Sequence, residues 1–441
     1  MNFLKTFTSA ALVTAVALGA SLAVHGASAQ TGAAVQNAQN PQTAQAALIK
    51  QGEYLARAGD CMACHSAAGR KPYTGGLPIV SNIGTIYSTN ITPGKQNGIG
   101  NYTEAQFAAA VRKGIRADGS HLYPAMPYPS YAKVSDADIH ALYTYFMQGV
   151  APSDDAAPET SLSFPFNQRW GMALWNWAFT SDKPFSGPDG ASEQVRRGAY
   201  LVESLGHCGS CHTPRGFAMN EKALDSSNAL FLAGGQLNGW NVPALRGMSR
   251  WSQQDIVDYL ETGRNSQAAV AGEMTSVVYN STSHLSDADL NAIAAYLKTL
   301  SASGTAVDTA QAAAPDGASA TTAKLTAAQN LTLGERLYVD NCSACHFVNG
   351  RGAPRVFPHL DGATVVNAKD PTGLINVILA GAQTPSTAKA PSVLPMPGFA
   401  YRLSDDEVAA LATFVRGGWS NHAGAVDAGQ VAKVRSAMKH D

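Results

Sequence analysis

Three pentapeptides of the chain place two cysteines and a histidine at the same spacing. They are Cys61-Met-Ala-Cys64-His65, Cys208-Gly-Ser-Cys211-His212 and Cys342-Ser-Ala-Cys345-His346. Two thiols three residues apart lie on one side of a helical turn, where each can add to one vinyl group of a haem. The histidine that follows supplies an imidazole to the iron as the proximal ligand. The pattern therefore predicts three covalently attached haem c groups.

The Cys-x-x-Cys spacing also occurs in zinc half-sites and in redox dithiols. The chain has six cysteines, and all six lie in the three motifs. A zinc site would not require a histidine at the same offset each time. A disulfide framework would leave the three histidines unexplained. The haem interpretation is therefore preferred to both alternatives.

A haem iron that transfers electrons without binding small molecules needs a sixth ligand, and a methionine thioether raises its potential. After the first motif the candidate is Met126, in Leu122-Tyr-Pro-Ala-Met-Pro-Tyr, and after the third it is Met396, in Val393-Leu-Pro-Met-Pro-Gly-Phe. Both methionines precede a proline, which restricts the loop that carries them.

The sixth ligand after the second motif is predicted to be Met274, which follows His212 at nearly the interval found in the first repeat. A methionine can equally be a filler of the core. The histidines His121, His359 and His207 are alternatives that would give a bis-histidine iron of lower potential. Methionine is preferred, because lone loop histidines are more often surface or hydrogen-bonding residues.

The segments around the motifs also recur. A short amphipathic stretch precedes each motif, and Gly52, Gly198 and Gly334 lie eight to ten residues before the first cysteine. A glycine at this position lets another helix cross closely, although it is also tolerated near any helix start.

A second recurring feature follows each candidate methionine. Ser135, Ser286 and Ser404 precede acidic residues and then apolar residues at helical spacing, so they are predicted helix N-caps, and Ser404 with Glu407 forms a capping box. A middle helix also recurs, at residues 103–115, 252–263 and 372–380. The chain therefore contains three homologous repeats.

These repeats predict a mainly α chain of three tandem domains with long loops, which suits its 41 glycines and 22 prolines. The predicted organisation is a signal peptide at 1–29, domains at 30–152, 191–301 and 327–424, an aromatic and proline-rich linker at 153–190, a flexible Ala/Ser/Thr linker at 302–326, and a tail at 425–441.

The N-terminus has the pattern of a secretory signal. Lys5 precedes an apolar run from Ala10 to Val24, and Ala27-Ser28-Ala29 is a cleavage pattern. The run is short for a retained anchor, so cleavage and a periplasmic mature chain are expected. The formal net charge of −1 does not favour nucleic acid or an anionic membrane surface as a partner.

Further segments carry a resemblance to a known family. Gly84-Thr-Ile-Tyr-Ser-Thr-Asn-Ile-Thr-Pro93, Gly98-Ile-Gly, the Leu122 segment and Cys211-His-Thr-Pro-Arg-Gly216 resemble the triheme cytochrome c subunits of membrane-associated dehydrogenases from acetic acid bacteria and relatives. Their complexes include gluconate 2-dehydrogenase, sorbitol, fructose and quinoprotein alcohol dehydrogenases, and a molybdenum aldehyde dehydrogenase. The resemblance covers nearly the whole mature chain.

The resemblance implies three class I cytochrome c-like domains and an electron-transfer subunit without a substrate-oxidising site of its own. Its expected partners are a catalytic subunit, best matched by the flavoprotein of gluconate 2-dehydrogenase, a small subunit, and ubiquinone. Residues 160–167 and 175–179 favour the flavin-linked members, whereas Ala223-Leu-Asp and Arg215-Gly-Phe217, after the second motif, favour alcohol and aldehyde members. Peripheral attachment to the periplasmic side of the inner membrane is expected. A self-sufficient haem enzyme with an open iron and a free periplasmic carrier are the alternatives.

The stretch from Phe164 to Phe179 is unusually aromatic. It could dock on a membrane or on a partner subunit, or it could pack between the first and second repeats. Packing is preferred, because most apolar clusters in a soluble chain are part of its interior.

Overall fold

The structure, a computed structural model, describes residues 40–302 and 315–438. The expected signal peptide lies outside the described residues. The chain divides into two compact segments, residues 1–48 and 49–441. Of the described residues, the first segment holds the beginning of helix α1 (Pro41–Ala58), and the second holds all three motifs. Among the described helices, none combines the length and apolar character needed to cross a bilayer.

The first repeat is helical, with a small antiparallel sheet after its motif. Its helices after α1 are α2 (Cys61–His65), α3 (Glu104–Lys113), α4 (Tyr128–Tyr131) and α5 (Asp136–Thr144), which continues as a π-helical turn, Tyr145–Gly149. Strands β1 (Pro78–Ser81) and β2 (Gly84–Tyr87) pair with Ile79 opposite Ile86. Strand β3 (Ser161–Leu162), from the predicted linker, adds to β2 with Leu162 opposite Gly84. Helix α6 (Gly171–Phe179) follows.

The second repeat has the same order of helices. They are α7 (Glu193–Tyr200) with a π-helical turn Leu201–Leu205, α8 (Gly209–His212), α9 (Gln253–Thr262), α10 (Glu273–Asn280), a 3₁₀ turn Thr282–His284, and α11 (Asp287–Thr299). Strands β4 (Gly235–Leu237) and β5 (Trp240–Val242) form a hairpin with Gln236 opposite Asn241.

The third repeat is extended by a helix at each end. Its elements are α12 (Pro315–Ala327), α13 (Leu333–Asn341), α14 (Ser343–His346), α15 (Thr364–Asn367), α16 (Thr372–Ala380), the paired strands β6 (Ala382–Gln383) and β7 (Pro395–Met396), α17 (Asp405–Gly417) and α18 (Ala428–Met438). Leu325 of α12 and Val431 and Val434 of α18 are buried in its core.

The mainly α prediction and the predicted helix starts are confirmed. The hydroxyls of Ser135, Ser286 and Ser404 each accept a hydrogen bond from the backbone N–H three residues later, and Ser404 with Glu407 completes a capping box. These bonds satisfy donors that the first helical turn leaves unpaired.

The predicted flexible linker and the predicted C-terminal tail both contain helices. The predicted flexible linker is helical over 315–327, while residues 303–314 lie outside the described part of the chain. The predicted tail contains α18, which packs on α16 and α17. The linker reads as low-complexity sequence because Ala, Ser and Thr dominate it. A few apolar residues, such as Leu325 and Val431, are enough to bury one face.

A close helix crossing organises every repeat. A Cβ built on Gly52 would overlap the carbonyl oxygen of Ala141 in α5. A Cβ on Gly198 would overlap the carbonyl oxygen of Ala292 in α11, and a Cβ on Gly334 would overlap the carbonyl oxygen of Ala410 in α17. The helix before each motif therefore lies directly against the last helix of the same repeat, which no other residue would permit.

Reciprocal hydrogen bonds join the first and second repeats. Tyr54 Oη donates to Asp289 Oδ2 at 2.6 Å, and the equivalent Tyr200 Oη donates to the equivalent Asp138. In both cases the tyrosine oxygen accepts from the backbone N–H of the N-cap serine of the opposite repeat, at 3.1 Å. The interface is therefore pseudo-symmetric.

The same interface brings the first two motifs together. Asp60 and His207, the residues just before Cys61 and Cys208, are equivalent, and both have left-handed backbones with φ of 51° and 36°. The His207 ring meets the Tyr131 ring edge-on at 5.6 Å, and helix α10 contacts the motif helix α2. The side chain of Asp60 is only 8 % exposed, and its Oδ1 has no hydrogen-bond partner in the structure.

The second repeat also contacts the third, where α16 packs on β5 and polar groups bond across the contact. The backbone N–H of Arg355 donates to Asn265 O at 2.9 Å, and that of His359 donates to Gln267 O at 2.8 Å. The Arg355 guanidinium also pairs with Asp258. The second repeat is therefore in contact with both of its neighbours.

We predict that Gly198→Ala destabilises the protein. The new methyl must displace the Ala292 carbonyl and with it α11, and overpacking of this kind costs about 1–3 kcal/mol. Urea unfolding of the purified protein measures the loss. The matched control is Gly417→Ala, also in a helix but with open space around it, where no loss is expected. Equal stability of Gly198→Ala and wild type would contradict the crossing.

We predict that Asp60→Asn stabilises the protein increasingly as pH rises. Burial raises the pKa of Asp60 well above its usual value, with Arg57 opposing the shift. The unfolded carboxyl loses its proton near pH ~3.9, so the unfolding free energy of wild type falls as pH rises from there through the raised pKa. Asparagine cannot ionise and tolerates a positive φ.

The measurement is the urea unfolding free energy of wild type and Asp60→Asn across this pH range. The control is Asp182→Asn, on an exposed carboxyl. Burial lowers the pKa of His207 to about 4, so this group acts in the opposite direction and costs stability as pH falls from ~6.5. A difference between Asp60→Asn and wild type that does not change with pH would contradict the buried carboxyl.

Candidate functional site

The six motif cysteines are unpaired thiols on or beside short helices. Cys61 and Cys64 lie in α2, while Cys208 and Cys342 immediately precede α8 and α14. Burial raises the pKa of Cys61, Cys208 and Cys342 to about 12. The pKa values of Cys64 and Cys211 are raised to about 11 by the same cause. These five thiols are therefore protonated near neutral pH. In that form each would supply both the sulfur and the hydrogen for addition to a haem vinyl group.

The three motif histidines are held in the same way. Nδ1 of His65 lies 2.6 Å from Thr89 O, that of His212 lies 2.8 Å from Pro243 O, and that of His346 lies 2.9 Å from Pro358 O. A carbonyl only accepts, so Nδ1 must carry the proton and Nε2 keeps its lone pair. Burial also lowers the pKa of His65, His212 and His346, which favours the neutral ring. The residues thus fit a haem iron bound through Nε2.

The loop that orients His65 is braced by the predicted linker. Asn90, next to Thr89, is buried, and its amide donates to Ser153 O at 2.8 Å and to Asp155 O at 3.0 Å. The amide oxygen of Asn90 accepts from the backbone N–H and the hydroxyl of Thr92, both at 2.8 Å. The Ser-Thr-Asn-Ile-Thr segment therefore serves to position the carbonyl that fixes the first histidine.

The three candidate methionines lie in different local structures. Met126 is in a turn, where its N–H donates to Tyr123 O at 3.2 Å and its carbonyl accepts from Tyr128 N–H at 2.9 Å. Met274 is the second residue of α10, and Met396 lies in β7 against the core of the third repeat. All three side chains are half-buried.

The alternative histidines have other contacts. His121 Nδ1 lies 3.3 Å from the amide nitrogen of Asn176, which donates to it. His359 lies at the contact with the second repeat, where its backbone N–H donates to Gln267 O. The His207 ring packs on Tyr131 between the first two motifs.

Sequence reasoning missed the residues that hold the motif histidines. The acceptors are backbone carbonyls of Thr89, Pro243 and Pro358, and a carbonyl has no signature in side-chain type. The one available signal was the Asn90-Ile-Thr92 segment, whose polar side chains build the loop locally. The reciprocal contacts of Tyr54 and Tyr200 were also missed, because they join different repeats, with partners 235 and 62 residues away in sequence.

Comparison with known proteins agrees with the three repeats. The family model for cytochrome c matches residues 49–149, 195–301 and 331–419, and each matched region contains one motif. The chain is 46% identical over 409 residues to the "Alcohol dehydrogenase (quinone), cytochrome c subunit" of Gluconobacter oxydans, covering 90% of this chain and 84% of the relative.

Two further relatives serve other dehydrogenases. The "Gluconate 2-dehydrogenase cytochrome c subunit" of Pantoea cypripedii is 45% identical over 406 residues, covering 89% of this chain and 90% of the relative. The "Fructose dehydrogenase cytochrome subunit" of Gluconobacter japonicus is 38% identical over 421 residues, covering 90% of this chain and 85% of the relative.

Three cytochrome c domains imply three haem c groups, and the histidine geometry of all three repeats fits them. The chain belongs to the cytochrome c family, and it is similar to cytochrome c subunits of alcohol, gluconate 2- and fructose dehydrogenases.

Proposed function

We propose that the chain is the electron-transfer subunit of a membrane-associated dehydrogenase complex, taking electrons from a catalytic subunit and passing them to ubiquinone. The observation that carries this proposal is the repeated anchoring of His65, His212 and His346, each with Nδ1 on a carbonyl. Bound haem supplies one-electron chemistry, and the chain supplies the ligands, the burial and the spacing.

We assign the three cysteine pairs to thioether bonds and the motif histidines to the proximal iron positions. Met126, Met274 and Met396 are proposed as the sixth ligands of the first, second and third irons. Each of them follows its motif in the same repeat and is half-buried, as a ligand shielded from solvent should be. A closed, six-coordinate iron favours electron transfer over small-molecule binding.

The contacts between repeats support a relay through the second domain. Helix α10 of the second repeat contacts the motif helix α2 of the first, and Cys211 contributes to raising the pKa of Cys64, so the first two haem positions are proposed to be neighbours. The loop that holds His346 through Pro358 also touches the second repeat through Arg355 and His359. Electrons that cross from the first to the third domain can therefore pass through the second.

The proposed partner is a flavoprotein catalytic subunit of the gluconate 2-dehydrogenase type together with a small subunit. A quinoprotein alcohol dehydrogenase is the alternative, since relatives of both kinds are similar to this chain at nearly the same level. The proposed location is the periplasmic side of the inner membrane after signal-peptide cleavage. The substrate is set by the partner, because oxidation takes place there.

We predict that Met126→Ala opens the first iron. Loss of the thioether lowers the potential of one haem of the three and lets the reduced protein bind about one carbon monoxide per chain. Spectroelectrochemical titration and carbon monoxide difference spectra measure both effects. The matched control is Met219→Ala, whose side chain is 67 % exposed and whose removal should change neither. An unchanged potential in Met126→Ala would favour His121 instead.

We predict that the native protein, solubilised from membranes, co-purifies with a dehydrogenase subunit and contains three haems. A flavin subunit active on gluconate supports the leading proposal, and a quinoprotein active on alcohol supports the alternative. A three-haem protein that elutes alone would make the chain a free carrier. Carbon monoxide binding by the unmodified reduced protein would instead indicate an open-iron enzyme.

A further inference from the structure

Helix α6 turns its apolar side outward. None of its residues is buried, and the side chains of Trp170, Leu174 and Trp177 are 70 %, 64 % and 85 % exposed. Their spacing of four and three residues places them on one face of the helix. The preference for packing between the repeats therefore does not describe this face, whereas Trp175 on the other side does pack on Tyr128 of the first repeat and bond to Ala218 of the second.

The inward side of the helix carries Trp175 and Asn176, and the Trp175 ring meets the Tyr128 ring edge-on at 6.2 Å. The Asn176 side chain accepts a hydrogen bond from Tyr128 Oη at 2.7 Å and donates to Lys113 O at 3.3 Å. The indole N–H of Trp175 donates to Ala218 O at 2.9 Å. These bonds attach α6 to both the first and the second repeat, so the outward apolar face is fixed in position.

Neighbouring segments extend this face. Phe164 and Phe166, before the helix, are 80 % and 50 % exposed, and Phe217 and Met219, in the loop after the second motif, are 97 % and 67 % exposed. Phe217 stacks edge-on against Phe179 of α6 at 6.1 Å. We call this set the aromatic surface, defined by Phe164, Phe166, Trp170, Leu174, Trp177, Phe217 and Met219.

The composition of the aromatic surface identifies what covers it. Residues 170–179 include no charged side chain. Arg169 precedes the helix, Asp182 and Lys183 follow it, and exposed Lys113 and Lys222 lie beside it, Lys222 next to Glu221. Tryptophan and phenylalanine favour the boundary between acyl chains and headgroups, where an indole N–H can donate to a lipid oxygen. Flanking lysine and arginine complement the lipid phosphates, although the chain as a whole is near neutral.

We propose that the aromatic surface inserts into the interfacial layer of a phospholipid bilayer and holds the first and second domains against it. This inference rests on the proposed peripheral membrane location, and it names the element that provides the attachment. Tyr128, which holds Asn176, is two residues from Met126, and Ala218 and Phe217 follow His212 closely. Both haem domains would therefore face the layer in which a quinone is dissolved.

The test is flotation of the purified full-length holoprotein with vesicles of phosphatidylethanolamine and phosphatidylglycerol. Haem absorbance in the lipid fraction gives the partition coefficient. For the double variant with Trp170→Ser and Trp177→Ser, we expect the partition coefficient to fall by about tenfold or more. The reason is that two large apolar side chains are no longer transferred from water into the lipid layer. The matched control is Leu333→Ser with Tyr401→Ser, two exposed apolar residues of the third repeat, with no expected change.

A haem spectrum confirms that each variant is folded, and the single variant Trp177→Ser provides a milder second test. Wild-type protein that does not float, or a double variant that floats equally well, would overturn the proposal. So would a double variant that binds vesicles normally but no longer co-purifies with the dehydrogenase, because the aromatic surface would then be a protein interface. The two proposals can also be separated. If flotation depends on the aromatic surface but the protein accepts no electrons from any dehydrogenase, this proposal is supported and the proposed function fails.

Discussion

The structure depends on one steric constraint, the contact of two helix backbones at a glycine in each repeat. Gly52, Gly198 and Gly334 remove the only side chain that would separate the helix before the motif from the last helix of the repeat. Because the motif follows directly, this contact sets where its cysteines and histidine emerge. The loops are then free to vary, and they do: the methionines lie in a turn, a helix and a strand.

The first two repeats form a pair, and the third is attached to it differently. The pair is built on apolar and aromatic contacts and on the matched bonds of Tyr54 and Tyr200. The attachment of the third repeat uses backbone hydrogen bonds and ion pairs such as Arg355 with Asp258. The symmetric pair has one asymmetry with chemical consequences. A buried acid, Asp60, occupies the position that a half-buried histidine, His207, takes in the other repeat.

The segment between the first and second repeats has a dual role that its composition did not indicate. Its early residues, Ser153 to Asp155, brace the loop that orients His65. Its later residues form α6, which bonds to both repeats and directs its apolar face outward. One stretch of chain thus braces the loop that orients His65 and forms the aromatic surface, so a change in this segment can affect both features.

The sequence by itself determined the three motifs, the three repeats, the helix starts and the glycine crossings, because each depends on local spacing and on residue type. It also led to the cytochrome c family and the haem count. Tertiary structure alone decided which carbonyls hold the histidines, since Thr89, Pro243 and Pro358 contribute backbone atoms that any residue has. It decided that α12 and α18 pack, because burial of Leu325 and Val431 depends on distant partners. Tertiary structure also decided which face of α6 points outward. The spacing of apolar residues in a helix does not indicate whether its apolar face packs on the protein or faces outward.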